Sequence, residues 1–159
     1  MKGERFHRLR LWIFGLLTAA IMVMIFWFSA QNALLSQQVS DGFLSSLIGS
    51  ILEKLLPGLT GQGMAVDIRK YAHMAEFFCL GISAFLFFSE LRRWRPDLTA
   101  AIMAFCFSVL YACTDEVHQI FVPGRAGRFT DVLVDSVGII LGVALSAFSQ
   151  RAFGRKKHP

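Results

Sequence analysis

Four long apolar runs constrain what this chain can fold into. They occupy residues 11–30, 69–90, 98–117 and 131–150, and the few charged residues inside them lie towards the ends of the runs. A helix needs about 20 apolar residues to cross the roughly 30 Å of hydrocarbon in a bilayer. The alternation typical of strands is absent, and helices satisfy their own backbone hydrogen bonds in lipid. The sequence therefore predicts an all-α membrane protein, with one domain over residues 1–159 built as a bundle of four transmembrane helices.

The distribution of charge predicts how the bundle is oriented. The chain is 55% hydrophobic and only 17% charged, which is too apolar for a soluble domain of 159 residues. Eleven of the 16 Lys and Arg residues precede the first run, separate the second run from the third, or follow the fourth. Because basic loops stay in the cytoplasm, we expect both termini and the middle loop there, in contact with anionic lipid. The net charge is +5, but the sequence predicts no domain outside the membrane that could present these cations to a nucleic acid. The charge therefore does not indicate a nucleic-acid partner.

The first apolar run resembles a signal peptide only in its basic start. Its apolar part is too long for one, and Phe26, Trp27 and Phe28 stand where small cleavage-site residues would be needed. We therefore expect this run to be retained as a transmembrane helix.

The exported loop between the first two runs contains a predicted amphipathic helix over residues 42–56. Apolar residues recur there at helical spacing, polar residues fill the other face, and Pro57 and Gly58 end the pattern. The segment is too short to cross a bilayer. We expect it to lie on the outer membrane surface, either as a plain surface helix or as a lid over the bundle.

Polar side chains of three apolar runs converge at their predicted outer ends, whereas the inner halves are nearly free of polar groups. The converging residues are Lys70, His73 and Glu76 on the second run; Tyr111, Asp115, Glu116, His118 and Gln119 on the third; and Asp131 and Asp135 on the fourth. Gly138 and Gly142 continue the last stripe and would let another helix come close. Ionisable groups at membrane depth face a protein interior or a water-filled cavity, and by default they indicate a functional site.

A purely structural role for these residues is the alternative. Lys70, Arg125 and Arg128 could neutralise nearby carboxylates and hold the bundle together. Interhelical polar contacts in membranes are worth only about 1 kcal/mol each, so this is an inefficient way to join three helices. For single residues the structural alternative is stronger: Tyr111 could be a packing aromatic with a satisfied hydroxyl, and Gln119 a partner for a helix terminus.

Three sequence blocks, taken in order, resemble the VanZ-like membrane proteins. The blocks are Lys70-x-x-His73-x-x-Glu76-Phe77, then Tyr111-x-x-x-Asp115-Glu116-x-His118-Gln119-x-Phe121-x-Pro123-Gly124-Arg125, then Asp131-x-x-x-Asp135-x-x-Gly138-x-x-x-Gly142. Ser29-Ala-Gln31 is also similar to the first exported segment of that family. Two positions depart from the pattern: Phe77 stands where many relatives have Tyr, and Asp135 where others have Asn.

The resemblance implies a small multi-pass protein of the bacterial cytoplasmic membrane. The founding member of the family is linked to low-level resistance to the glycopeptide antibiotic teicoplanin. No agreed biochemical activity accompanies the family, so the resemblance leaves the chemistry of the polar residues open.

Three functions of different classes fit the polar residues. The first is a protein that binds a lipid head group, a lipid-linked envelope precursor or a lipoglycopeptide antibiotic without turnover. The second is a membrane-embedded hydrolase or transferase acting on a lipid phosphate. The third is a small transporter that works as an oligomer, although charges confined to one leaflet do not trace a path across the membrane.

The residue types suggest roles for the enzyme and the binding protein. Candidate catalytic residues are His73, Asp115, Glu116 and His118, since a histidine beside a carboxylate gives a base of tunable pKa. Candidate ligand-binding residues are Lys70, Glu76, Tyr111, Gln119, Arg125, Asp131 and Asp135. The carboxylates could hold a divalent cation bridging to phosphate, but the spacing gives no metal signature. No cofactor is therefore predicted with certainty.

Overall fold

Four α-helices make up the described part of the chain. The computed structural model describes residues 2–30, 68–93, 98–125 and 127–154, and no strand occurs among them. The helices are α1 (Lys2–Ser29), α2 (Ile68–Leu91), α3 (Leu98–Ile120) and α4 (Phe129–Gly154). Each is long and apolar enough to cross a membrane. The predicted all-α architecture with four transmembrane helices is confirmed, whereas the predicted amphipathic helix over residues 42–56 lies outside the described residues.

One residue after α2 and one after α3 have a left-handed backbone conformation. Arg93 has a φ of 58°, and its backbone N–H donates to the carbonyl of Glu90 at 2.9 Å. After α3, Gly124 has a φ of 77°, a conformation that costs glycine nothing. The N–H of Arg125 then donates to the carbonyl of Val122 at 3.1 Å. This tight turn sets the start of α4 beside the end of α3.

Three glycines bring α2 and α4 into backbone contact. A Cβ at Gly138 or Gly142 would collide with the carbonyl oxygens of Met74 and Phe78 in α2. A Cβ at Gly81 would lie 2.7 Å from the carbonyl oxygen of Ile139 in α4. The contacts of Gly138 with Met74 and of Gly142 with Phe78 advance by one turn along both helices, so α2 and α4 run parallel. The prediction that Gly138 and Gly142 admit a close neighbour is confirmed, and that neighbour is α2.

Helix α2 is the central element, since it packs extensively against each of the other three helices. Its buried apolar residues, Phe77, Leu80, Ala84 and Phe85, form the middle of the core. Small residues of α3 and branched residues of α4 pack around them: Ala100, Ala104, Ala112, Ile139 and Val143. This packing fixes the relative positions of the three helices that carry the polar blocks of the sequence.

Helix α1 lies at the edge of the bundle. It presents large apolar side chains outward, with Trp12 and Trp27 each 70% exposed, as expected for a helix facing lipid. At its first residues, His7 Nδ1 lies 2.8 Å from Glu90 Oε1, and Arg10 Nε lies 3.5 Å from the same oxygen. Glu90 is fully buried. The end of the bundle at which α1 begins therefore holds one buried acid, in the last turn of α2.

An exposed ion pair lies beside this buried one. Arg93 donates to Glu4 Oε1 at 2.6 Å, and this hydrogen bond raises the pKa of the Arg93 guanidinium above its ordinary value. We call this part of the bundle the basic end; its described cations include Arg8, Arg10, Arg92, Arg93 and Arg151. The opposite end, which we call the acidic end, carries Glu76, Asp115, Glu116, Asp131 and Asp135.

Candidate functional site

The acidic end gathers polar side chains from three helices. The last two turns of α3 supply Asp115, Glu116, His118 and Gln119; α2 supplies His73 and Glu76; and α4 supplies Asp131 and Asp135. Asp115 and Asp135 are only 3% and 2% exposed, and Glu116 and Gln119 are also buried. A buried carboxylate needs a partner, because its desolvation is costly otherwise.

Asp115 and Asp135 lie at the centre of this group. Gln119 is one turn beyond Asp115 on α3, and its Nε2 donates to Asp115 Oδ2 at 2.8 Å. Asp135 interacts electrostatically with four other carboxylates, those of Glu116, Asp115, Asp131 and Glu76. The structure therefore brings the predicted acids of α2, α3 and α4 into one region.

Glu116 serves the start of α4. Its Oε2 accepts a hydrogen bond at 2.7 Å from the backbone N–H of Arg128, the residue immediately before that helix. Gly127 packs so closely against α3 that a Cβ there would collide with the carbonyl oxygen of Glu116. A carboxylate at a helix N-terminus also complements the helix dipole. This described contact stabilises the start of α4, and the catalytic role predicted for Glu116 stays a prediction.

Arg125 serves the end of α1. Its guanidinium donates at 2.9 Å to the carbonyl oxygen of Phe28, which lies in the last turn of that helix. Carbonyls in the last turn lack a partner within the helix, and a cation there is favourable for the helix dipole. The guanidinium also interacts electrostatically with Glu76. It thus links α1 to the carboxylates, and these contacts suit a structural role as well as the predicted ligand-binding one.

Two aromatic groups of α3 also contact α1. The Tyr111 hydroxyl donates to the carbonyl oxygen of Met22 at 2.5 Å, and the ring lies 6.3 Å from the Phe77 ring. The His118 ring stacks on Phe26 with centroids 4.3 Å apart. The sequence left open whether Tyr111 is a packing aromatic with a satisfied hydroxyl, and its contacts match that description.

The remaining predicted residues lie at the rim of the group. His73 Nδ1 lies 3.7 Å from Glu76 Oε2, a distance for an ion pair when the imidazole is protonated. Asp131 Oδ1 accepts from the Thr130 hydroxyl at 3.3 Å near the start of α4. The side chain of Lys70 lies outside what the structure describes.

Several buried polar atoms of this group have no hydrogen-bond partner among the described residues. They are Asp115 Oδ1, Glu76 Oε2, His118 Nδ1 and the Ser29 hydroxyl. The carboxylate oxygens among them can only accept when ionised, so they suit a ligand that brings N–H or O–H donors. Leaving a buried polar group without a partner costs about 1–3 kcal/mol, which a bound ligand could recover.

The geometry does not favour a metal centre. Among the described residues, no three His, Cys, Asp or Glu side chains are arranged so that they could hold a metal ion together. The carboxylates approach one another, but their donor atoms do not converge on one point. The predicted possibility of a divalent cation has no support from these residues.

The contacts with α1 could not be foreseen from the residue pattern. The acceptors for Tyr111 and Arg125 are main-chain carbonyls of Met22 and Phe28, and a backbone acceptor leaves no signature in sequence. In the sequence, Ser29 stood out only as part of the Ser-Ala-Gln segment that resembles the family.

Comparison with known proteins identifies a family for this chain. A family model described as VanZ/LLP1 matches residues 14–150, a range that includes every polar residue of the acidic end. No curated protein and no solved structure matches the chain. The chain therefore belongs to the VanZ/LLP1 family, as a membrane protein with four apolar helices.

Proposed function

We propose that this protein binds the head group of a lipid-linked envelope precursor or of a lipoglycopeptide antibiotic at the acidic end, and thereby contributes to glycopeptide resistance. The observation that carries the proposal is the different surroundings of the two Asp115 carboxylate oxygens. Oδ2 is held by Gln119, while Oδ1 is buried without a hydrogen-bond partner among the described residues. One oxygen is thus positioned by the protein, and the other is the buried acceptor to which we propose that a ligand donates.

The acidic residues at this end support a ligand that brings hydrogen-bond donors. Five carboxylates lie close enough to interact, and the Arg125 guanidinium is already engaged by a carbonyl of α1. A ligand rich in amine and hydroxyl donors would satisfy the carboxylate oxygens and reduce their mutual repulsion. Amino sugars and free amines, as in glycopeptides and envelope precursors, have this chemistry. A ligand that offers only phosphate fits less well.

The position of the acidic end suits a ligand with a lipid tail. The carboxylates lie at the ends of transmembrane helices, and α1 borders them with an outward face of exposed apolar residues such as Val23 and Trp27. A tail could stay in the bilayer while the head group reaches the carboxylates. A head group without a tail would lack this contribution, which is about 0.8 kcal/mol per buried CH₂.

The test is binding of teicoplanin to the protein in lipid nanodiscs, followed by calorimetry. Asp115→Asn keeps the size of the side chain and removes its charge, so we expect at least about tenfold weaker binding, the loss of one charge-assisted hydrogen bond. Glu4→Gln is the matched control, because it removes an exposed carboxylate at the basic end. Equal affinity in Asp115→Asn and the unchanged protein contradicts the proposal.

The lipid requirement is tested with deacylated teicoplanin. We expect it to bind more weakly than the acylated form to the same nanodiscs. In cells, Asp115→Asn should abolish any resistance while the protein accumulates normally in the membrane. Full resistance in that variant rules out a role of the acidic end in the phenotype.

A membrane-embedded hydrolase is the second candidate, favoured by the His73–Glu76 pair. A carboxylate 3.7 Å from an imidazole can orient it as a general base, and the distance can shorten when a substrate binds. Incubation of purified protein with a polyprenyl diphosphate should then release phosphate, and His73→Gln should stop the release. Binding of teicoplanin without such product supports the first proposal.

A further inference from the structure

A groove runs between α3 and α4 on the side of the bundle that faces lipid. Its volume is about 380 Å³. It is lined by Leu98, Ala101, Ile102 and Phe105 of α3, and by Ile140, Val143, Ala144, Ala147 and Arg151 of α4. Small side chains form the concavity, while Leu98, Ile102 and Ile140 stand exposed at its edges. Exposed apolar residues are ordinary in a membrane helix. A concave apolar surface with a single cation at one end is a more specific feature.

The groove has the length of one leaflet. Its α4 wall extends from Ile140 to Arg151, which corresponds to roughly 16 Å at about 1.5 Å per residue. Half of a hydrocarbon core of about 30 Å is roughly 15 Å. The apolar lining therefore begins near the middle of the membrane and ends where phosphate groups lie.

Positive charge is concentrated at the interfacial end of the groove. Arg151 is exposed there, and the described residues place no carboxylate within ion-pair distance of its guanidinium. Leu98, the first residue of α3, lines the same end, so the positive end of that helix dipole lies beside Arg151. An occupant with an apolar tail and a negative head matches both parts of the groove.

We infer that this groove binds one anionic glycerophospholipid from the leaflet at the basic end. One acyl chain lies along the apolar lining, and the phosphate contacts the Arg151 guanidinium near the start of α3. A guanidinium binds phosphate as a planar fork with two parallel hydrogen bonds. This site is separate from the acidic end and does not depend on the function proposed for it.

Native mass spectrometry of the purified full-length protein tests the inference. The probes are phosphatidylglycerol and phosphatidylcholine with identical acyl chains, added to protein in a mild detergent. We expect the unchanged protein to retain phosphatidylglycerol preferentially. Arg151→Gln should reduce that retention about fivefold, the effect of one cation near a lipid surface. The reduction should be smaller for phosphatidylcholine, because its choline group offsets the charge of its phosphate.

A second variant tests the acyl-chain part of the site. Ala144→Leu fills the groove and should reduce retention of both lipids, whatever their head groups. The matched controls are Arg8→Gln, an exposed cation on α1, and Ala20→Leu, an exposed alanine on the same helix. Both controls should retain lipid as the unchanged protein does. Equal thermal melting of all variants separates loss of the site from loss of the fold.

Two results overturn the inference. One is unchanged phosphatidylglycerol retention in both Arg151→Gln and Ala144→Leu. The other is a dimer in the spectrum that Ala144→Leu converts to a monomer without changing lipid retention. That second result assigns the groove to another copy of this chain.

Discussion

Asp115 and Glu116 are adjacent in sequence and have different surroundings. Successive residues on a helix point about 100° apart. Asp115 therefore faces the other carboxylates and Gln119, while Glu116 faces the turn before α4 and accepts from the N–H of Arg128. The two residues therefore differ in role. Glu116 stabilises the start of α4, whereas one oxygen of Asp115 has no hydrogen-bond partner among the described residues.

This division predicts opposite effects of two substitutions. Glu116→Ala should lower the free energy of unfolding by about 2 kcal/mol, because it leaves the start of α4 without its acceptor. Asp115→Asn should leave stability unchanged or raise it, because it removes a repelling buried charge. Equilibrium unfolding in mixed micelles measures both. A larger loss of stability in Asp115→Asn than in Glu116→Ala contradicts the assignment.

The sequence revealed which residues gather at the acidic end but not what each one does there. Helical spacing predicted the stripes, since acids at membrane depth must face an interior. The roles of Glu116 and Arg125 depend on a backbone N–H and a backbone carbonyl, and side-chain patterns carry no information about these groups. Arg125 was predicted as a ligand-binding cation, and its guanidinium donates to a carbonyl in the last turn of α1.

Helices α2 and α4 form the tightest pair in the bundle, because glycine removes the side chain where they meet. The prediction at this level concerns Gly142. Gly142→Ala places a methyl group against the carbonyl of Phe78, and neither backbone can move freely. We expect a loss of about 1–3 kcal/mol, measured by unfolding in micelles.

Gly3→Ala is the control for this effect. A Cβ at Gly3 meets nothing within 4 Å, so this change should be neutral or stabilise the helix. If Gly3→Ala and Gly142→Ala change the free energy of unfolding equally, the backbones of α2 and α4 are not in close contact.

Helix α1 has polar attachments at both ends. His7 contacts Glu90 at the basic end, and Tyr111 contacts the carbonyl of Met22 towards the acidic end. The two are separated by 15 residues of α1, about 22 Å. Tyr111→Phe should cost about 1 kcal/mol, and Glu90→Gln a similar amount.

We expect these two costs to add within about 0.5 kcal/mol, as for distant sites with no shared partner. A double-mutant cycle measures the sum. A double-mutant free energy that differs strongly from this sum contradicts independent attachments. It would mean that the two ends of α1 detach from the bundle together.

The two ends of the whole molecule differ in charge, and this difference predicts its orientation. The basic end should face the cytoplasm and the acidic end the outside. In a protein without its three native cysteines, a cysteine at Pro123 should react with an impermeant maleimide in intact cells. A cysteine at Arg93 should react only after the cells are opened. The reverse pattern contradicts the orientation.

The number of helices could be predicted from hydropathy, but their arrangement could not. Apolar runs show that a helix can enter lipid and do not show which neighbour it packs against. The close packing of α2 against α4 follows from Gly81, Gly138 and Gly142, of which only the last two form an obvious pattern. Glu90 was missed for a related reason: at the end of an apolar run it reads as an interfacial charge, and its burial depends on α1.

The use of main-chain carbonyls to hold α1 has a consequence for how its sequence can vary. Tyr111 and Arg125 both donate to carbonyl oxygens, and every residue type supplies the same one. The amino acids at positions 22 and 28 can therefore change among apolar residues without loss of either hydrogen bond. A saturation library of the half of α1 nearer the acidic end should tolerate most apolar replacements there, while positions 111 and 125 accept few.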